Sequence, residues 1–224
     1  MNDLNSTINK TREKYREIFM RSIQIIEQRI YDIKPNDVHG DIFKKYPHDS
    51  DGEKWQKVVL NLLTNDISKD ILKKRNEILA YRKQFCCLGC AVCCNLACTE
   101  FSPEELNEKA KNGDNFASQF TSIFIPYKNR FEAEKIYPEY PDMLKEKDKV
   151  YFYHCPKLSK DNKCSDYINR PNICKTFPDN PLAILPKSCG FYQWKQEVEP
   201  TALMLHAFIE IINYYKSKIP IDKD

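Results

Sequence analysis

The residues with the most chemistry to offer are the cysteines. The run Cys86-Cys87-Leu88-Gly89-Cys90-Ala91-Val92-Cys93-Cys94, with Cys98 four positions on, contains the pattern CxxCxxCC from Cys87 to Cys94. Two-residue gaps let neighbouring thiolates turn toward a common centre, which is why CxxC recurs in zinc and iron–sulfur sites. One CxxC is also the motif of redox dithiols; two overlapping copies followed by another cysteine point to metal. Adjacent side chains diverge by about 100° on a helix and face opposite sides of a strand, so Cys93 and Cys94 are not expected to share one mononuclear site. Two centres, or one multinuclear centre, fit this string better than a single zinc knuckle. If the segment were helical, Cys87, Cys90, Cys94 and Cys98 would form one stripe. Cys87, Cys90 and Cys93 match the first three ligands of a bacterial ferredoxin run, but the next cysteine falls at 94 or 98, and Thr99 rather than proline follows Cys98.

Four further cysteines, Cys155, Cys164, Cys174 and Cys189, lie at spacings too wide for a local knuckle, so the fold must bring them together. Arg170 and Lys175 flank Cys174. A four-thiolate zinc site carries a formal charge of about −2, which nearby cations and N–H donors to sulfur offset. Arg170 is therefore either such a cation or half of a surface ion pair.

The chain of 224 residues has 35 Lys plus Arg against 32 Asp plus Glu, a near balance that argues against nucleic-acid binding through bulk charge. Its 42% hydrophobic content supplies a core, and with only 5 glycines a nucleotide-cradling loop is not expected. All 10 cysteines fall between Cys86 and Cys189, so the demand for sulfur is local. The N-terminal segment alternates polar and charged residues without an apolar h-region, and the greasiest stretch, 203–212, is too short to cross a bilayer. The expectation is a cytoplasmic protein with reduced thiols and no membrane partner, a setting in which clustered cysteines read as metal ligands or redox groups before disulfides.

Helices must position these sulfurs. Ile8, Tyr15, Ile18, Phe19, Ile23, Ile26, Ile30 and Ile33 recur at helical steps over 5–34 and stop at Pro35. A loop over 36–51 follows, holding His39 and His48. Trp55 to Leu79 resumes the period, as one long helix or two short ones. Ser102-Pro103-Glu104-Glu105 is a helix start, with a capping serine, proline at the first position and glutamate three residues after the cap, and the stop is expected near Asn112-Gly113. Phe116 to Phe124 and Tyr127 to Ile136 suggest two more helices, the latter before breaks at Pro138 and Pro141. Val150 to Tyr153 has strand composition, Asp161-Asn162 suits a tight turn, and Thr201 to Lys218 reads as a C-terminal helix. The expected fold is mainly α: a helical hairpin (1–85) packed on a cysteine-metal core (86–190), then a C-terminal helix (191–224), with at most a short β-hairpin, in one compact domain. Trp55 and Trp194 are expected as core or interface anchors.

The CxxCxxCC string, followed by Cys155-Pro156-Lys157-Leu158, by Cys164-Ser165-Asp166-Tyr167 and by Arg170-Pro171-Asn172-Ile173-Cys174-Lys175-Thr176-Phe177-Pro178, resembles the YkgJ-type cysteine-cluster family, described as zinc- or iron-chelating. The resemblance covers residues 86 to 190. It implies a ligand set of Cys87, Cys90, Cys93, Cys94, Cys155, Cys164, Cys174 and Cys189, leaving Cys86 and Cys98 as extras. The chain departs from the family at Ala91, where glycine is common, at Asp166, usually apolar, and at Lys175, commonly arginine. The flagellin lysine methylases of enteric bacteria are similar in their cysteine cluster, which implies that some relatives are iron–sulfur enzymes that modify protein.

The leading expectation is thus chelation of zinc or an iron–sulfur cluster, with a possible protein partner or substrate. Saturated zinc sites would be structural, because no coordination position is left for substrate; iron would open electron transfer or radical chemistry. An enzyme would need more than ligands. The sequence has no HExxH or GxSxG, and Glu100, Glu104 and Glu105 read as capping or solvated residues before bases. A redox sensor would use Cys86 and Cys98. His154 precedes Cys155 and could offer a nitrogen ligand, whereas His206 belongs to the C-terminal helix.

Overall fold

The structure, a computed structural model, describes residues 2–33, 44–136 and 150–218. Pro35, His39 and residues 36–43 of the expected 36–51 loop, and the breaks at Pro138 and Pro141, lie outside the described residues. The fold is mainly α and separates into two compact units, residues 1–83 with 196–224, and residues 84–195.

In the first unit, α1 spans Asn2–Tyr31. Helix α2, Asp51–Asn61, starts with a capping box in which Ser50 accepts from the Glu53 N–H and the Glu53 carboxylate accepts from the Ser50 N–H. It runs through a π-helical turn, Leu62–Ile67, into α3, Ser68–Arg82. The alternative of one helix or two resolves into one continuous helical path with a widened turn. Such a turn displaces backbone partners, and hydroxyls take up carbonyls around it: Thr64 Oγ1 donates to the Leu60 carbonyl at 2.8 Å and Ser68 Oγ to the Leu63 carbonyl at 3.1 Å. Leu63 and Ile67 on this turn are buried with Ile26, Val59, Ile211 and Ile212, and Phe19, Ile23, Ile30, Trp55 and Phe208 pack beside them. The periodic stripes are therefore core, each buried Leu or Ile contributing about 1.5–3 kcal/mol.

The last helix, α9 (Tyr192–Lys218), begins earlier than the expected Thr201 and carries Pro200 inside it. Proline reads as a breaker because it lacks the N–H that would bond the carbonyl four residues back. Here burial of Val198, Ala202 and Leu205 around it holds the helix together. In the first unit Tyr15 donates to Glu210 at 2.5 Å and lies 3.2 Å from His206 Nδ1. Burial, then the glutamate beside it, raises the pKa of this phenol.

The second unit is built from short pieces: α4 (Val92–Asn95), β1 (Ala97–Thr99), α5 (Pro103–Lys111), α6 (Asn115–Thr121), β2 (Ile125–Pro126), α7 (Arg130–Glu134), β3 (Tyr151–His154) and α8 (Asn172–Thr176). The Ser102–Glu105 capping box with Pro103 is present as expected, and α5 ends at Asn112-Gly113, where Gly113 takes φ +85°. The strands form an antiparallel sheet in the order β1-β3-β2, with Cys98 opposite Phe152 and Ile125 opposite His154. This exceeds the expected hairpin by one strand, because strands of three and two residues are too short to show an alternating pattern. Leu106, Ala117, Phe120 and Tyr153 form one core cluster, and Leu96, Ala133 and Phe152 another. Trp194 is fully buried, the anchor expected of it. Among the described residues no helix is long and apolar enough to cross a membrane.

Candidate metal centre

Residues 85–91 take no regular structure, and only Val92–Asn95 makes a turn of helix. The helical stripe of Cys87, Cys90, Cys94 and Cys98 is therefore not formed. The cause lies in two left-handed residues, Gly89 at φ 72° and Ala91 at φ 61°. Ala91 occupies a conformation that glycine adopts without strain and alanine at a cost of about 1–2 kcal/mol. This is the position where glycine is common among the resembling sequences. Ala91→Gly is accordingly expected to raise stability by about 1 kcal/mol in urea unfolding, the lost methyl offsetting part of the relief. A destabilised variant would show that the buried methyl outweighs the strain.

The winding loop aims backbone N–H groups at sulfur. The Gly89 N–H donates to Cys87 Sγ at 3.4 Å. In the same two-residue offset, Val92 donates to Cys90, Lys157 to Cys155 and Phe191 to Cys189. Such donors favour the thiolate over the thiol and soften the charge of a thiolate set.

All ten cysteines are free. Around the CxxC knuckles, the Cys189 thiol donates to Cys90, and this bond, more than any other influence, brings Cys90 down to about 6. Cys189 rises well above the ordinary thiol range as the donor, with burial and the charges of Cys90 and Cys87 adding to it. Cys93 likewise rises, first by donating to Cys94 and then through burial and the charges of Cys94, Cys90 and Cys87. Cys94, the acceptor, falls to about 7 through that bond, with burial and the Cys90 charge opposing and the Arg170 charge helping. The adjacent thiols thus meet rather than diverge out of reach. Burial raises Cys155, with Cys94 and Cys164 acting on it. Cys174 is pushed up to about 11 by burial and then by Cys94, Cys155 and Cys164, with Arg170 opposing.

The backbone brings Cys155 to Cys94. The Cys155 N–H donates to the Cys94 carbonyl at 2.7 Å, where the chain leaves β3. A tight turn through Asp161-Asn162, with Asn162 at φ 62°, then returns the chain so that Leu158 pairs with Cys164. Ser165 N–H to Lys157 O at 2.9 Å and Ser159 N–H to Lys163 O at 2.8 Å close it. Asp166 forms an ion pair with Lys157 across this turn, which explains a charge at that position. Arg170 is held by its Nε donating to the Tyr167 carbonyl at 3.1 Å and by its guanidinium 3.6 Å above the Tyr167 ring. Among the described residues it meets no carboxylate; its charge falls on Cys94 and Cys174, favouring the sulfur-side role over the ion pair. Lys175 stands exposed in the last turn of α8.

Cys86 is exposed, and Cys98 packs with Leu96, Ala133 and Phe152. The His154 ring lies 4.9 Å from that of Tyr127, and Glu105 caps its helix. Sequence reasoning passed over Gly190: a Cβ there would meet the Cys86 carbonyl oxygen at 1.9 Å and Leu88 Cγ at 2.8 Å. Its place directly after Cys189 was the available signal. Among the described residues no three His, Cys, Asp or Glu side chains are drawn closely enough to enclose an ion as they stand. The donor chemistry nonetheless fits a thiophilic metal: sulfur-rich, N–H-supported and flanked by a fixed guanidinium.

No curated protein and no solved structure matches the chain significantly. A family does: residues 86–199, just over half of the chain, match the CxxCxxCC family, whose description reads "Putative zinc- or iron-chelating domain". The chain belongs to this CxxCxxCC family.

Proposed function

We propose that the protein is a cytoplasmic metal-binding protein that chelates zinc, or iron in an iron–sulfur cluster, through the thiolates of Cys87, Cys90, Cys93, Cys94, Cys155, Cys164, Cys174 and Cys189. The observation that supports this reading is the match of residues 86–199 to the zinc- or iron-chelating family, beside a left-handed loop in which the Gly89 N–H donates to Cys87 Sγ at 3.4 Å. Inert structural thiols have no need of such donors, whereas metal thiolates are tuned by them. Zinc would supply a closed structural site, and an iron–sulfur cluster would add electron transfer. The residues themselves bind and orient: the Gly89 and Ala91 turns aim the knuckle sulfurs, Arg170 offsets charge, and Lys157 with Asp166 fixes the returning turn. With every thiolate engaged, no coordination position remains for a substrate, so the surface serves as a platform for a protein partner.

Alkylation mapped by mass spectrometry tests the assignment. In protein purified without oxygen and holding its metal, the eight named cysteines should resist a maleimide while Cys86 reacts at once and Cys98 at a rate that metal does not change. After metal removal all eight should open. Equal metal-dependent protection of Cys86 and Cys98, or none at the eight, would contradict the reading.

A further inference from the structure

We propose that the first unit carries a metal site of a different kind, a three-donor nitrogen and oxygen site for zinc made by Tyr15 of α1 with His206 and Glu210 of α9. It lies outside the cysteines and outside the family match at 86–199, and it does not depend on the chelation reading above.

His206 and Glu210 are four residues apart, so one turn of α9 places them on the same face. Tyr15 is brought over that face by the packing of α1, in which Phe19, Ile23 and Ile26 share a core with Phe208, Ile211 and Ile212. The three donors converge rather than turn out to water. Tyr15 Oη stands 2.5 Å from Glu210 Oε2 and 3.2 Å from His206 Nδ1, and His206 Nδ1 stands 3.7 Å from Glu210 Oε1. An ion bound at about 2.0–2.2 Å by nitrogen and oxygen ligands sets them about 3.0–3.5 Å apart, so the donors need to shift by only about half an ångström. His206 and Glu210 are half-exposed and have that freedom.

The charge suits a cation. Among the described residues no Lys or Arg pairs with Glu210, and Lys14 on the same side of α1 is engaged with Glu199 at 3.6 Å. Burial and the glutamate keep the phenol protonated until an ion displaces its proton. On binding, that proton goes to solvent, the phenolate oxygen, imidazole nitrogen and carboxylate become ligands, and water completes the shell. The site thus keeps an open position, unlike a saturated thiolate site, and it ties together residues 191 and 195 positions apart in the chain.

Isothermal titration with zinc tests this on the full chain, purified without oxygen and with its cysteines already supplied with metal. Wild type should take one further ion. His206→Ala should abolish that binding, and Glu210→Gln and Tyr15→Phe should each weaken it by about tenfold or more, while Lys14→Ala, which removes a neighbouring contact between the same helices, should leave it unchanged. Absence of a further ion in wild type overturns the site. So does a further ion that all the variants retain, or one that Tyr15→Phe holds as tightly as wild type, which would leave a pair on one helix without the bridge. Should a variant not fold, amide exchange of wild type decides: the further zinc should slow exchange in α1 and α9, and slowing elsewhere or nowhere would overturn the proposal. None of these variants alters a cysteine, so failure here leaves thiolate chelation, read from the alkylation pattern, as it stands.

Discussion

Replacing Gly190 by alanine is expected to destabilise the second unit by about 3 kcal/mol. The collision at 1.9 Å is with backbone, the Cys86 carbonyl oxygen, and Leu88 Cγ at 2.8 Å closes the other side. A methyl in such a space cannot be absorbed by a rotamer change; one of the two chain segments must retreat by more than an ångström. Whichever segment retreats, the approach of Cys189-Gly190 to residues 86–88 is opened by the same methyl. Gly52 provides the control, for a Cβ there meets nothing within 4 Å. Thermal unfolding of Gly190→Ala and Gly52→Ala, measured side by side, checks this. An unchanged transition in Gly190→Ala would show that the approach of Cys189-Gly190 to the knuckle loop does not hold this part of the unit together.

What could be read from the sequence followed the strength of each local signal. The stripes Ile23, Ile26, Ile30 and Trp55, Val59, Leu63, Ile67 repeat over several turns, so the helices of the first unit and their core are legible in the pattern alone. The Ser102–Glu105 capping box is legible for a different reason, that three residues in a fixed register satisfy specific N–H groups. The two short outer strands leave no such trace, and their pairing with β3 is a tertiary event. Helix α9 starts before the expected Thr201 and runs through Pro200, where the packing of Val198, Ala202 and Leu205 continues it.

In the site, the knuckle half was visible because its spacing is itself the chemistry. The approach of Cys155 to Cys94 and of Cys189-Gly190 to residues 86–88 was not, since both are tertiary backbone contacts between distant parts of the chain. The geometric argument from Cys93 and Cys94 pointed to two centres or one multinuclear centre; in the folded chain these two thiols act on each other. Ala91 was noticed as a departure from glycine, and its left-handed φ of 61° gives that departure a physical meaning.

Removing the metal should have the largest effect of all. Apart from its small clusters around Leu106 and Leu96, the second unit is held by short elements, whereas the first has long helices with a continuous core. Structural zinc sites contribute about 10–16 kcal/mol of apparent binding free energy at neutral pH, which becomes folding free energy when no site exists in the unfolded chain. Loss of metal should therefore release residues 84–136 and 150–195 while the helices at 51–82 persist. The decisive measurement is amide hydrogen exchange on protein isolated without oxygen, with zinc, iron and acid-labile sulfide counted first, before and after stripping by a strong chelator. The expected result is bound zinc or iron, then loss of protection by several orders of magnitude across 84–136 and 150–195 with 51–82 little changed. Protein that carries no metal yet shows full protection across 84–136 and 150–195 would contradict the claim that thiolate-bound metal holds this unit together.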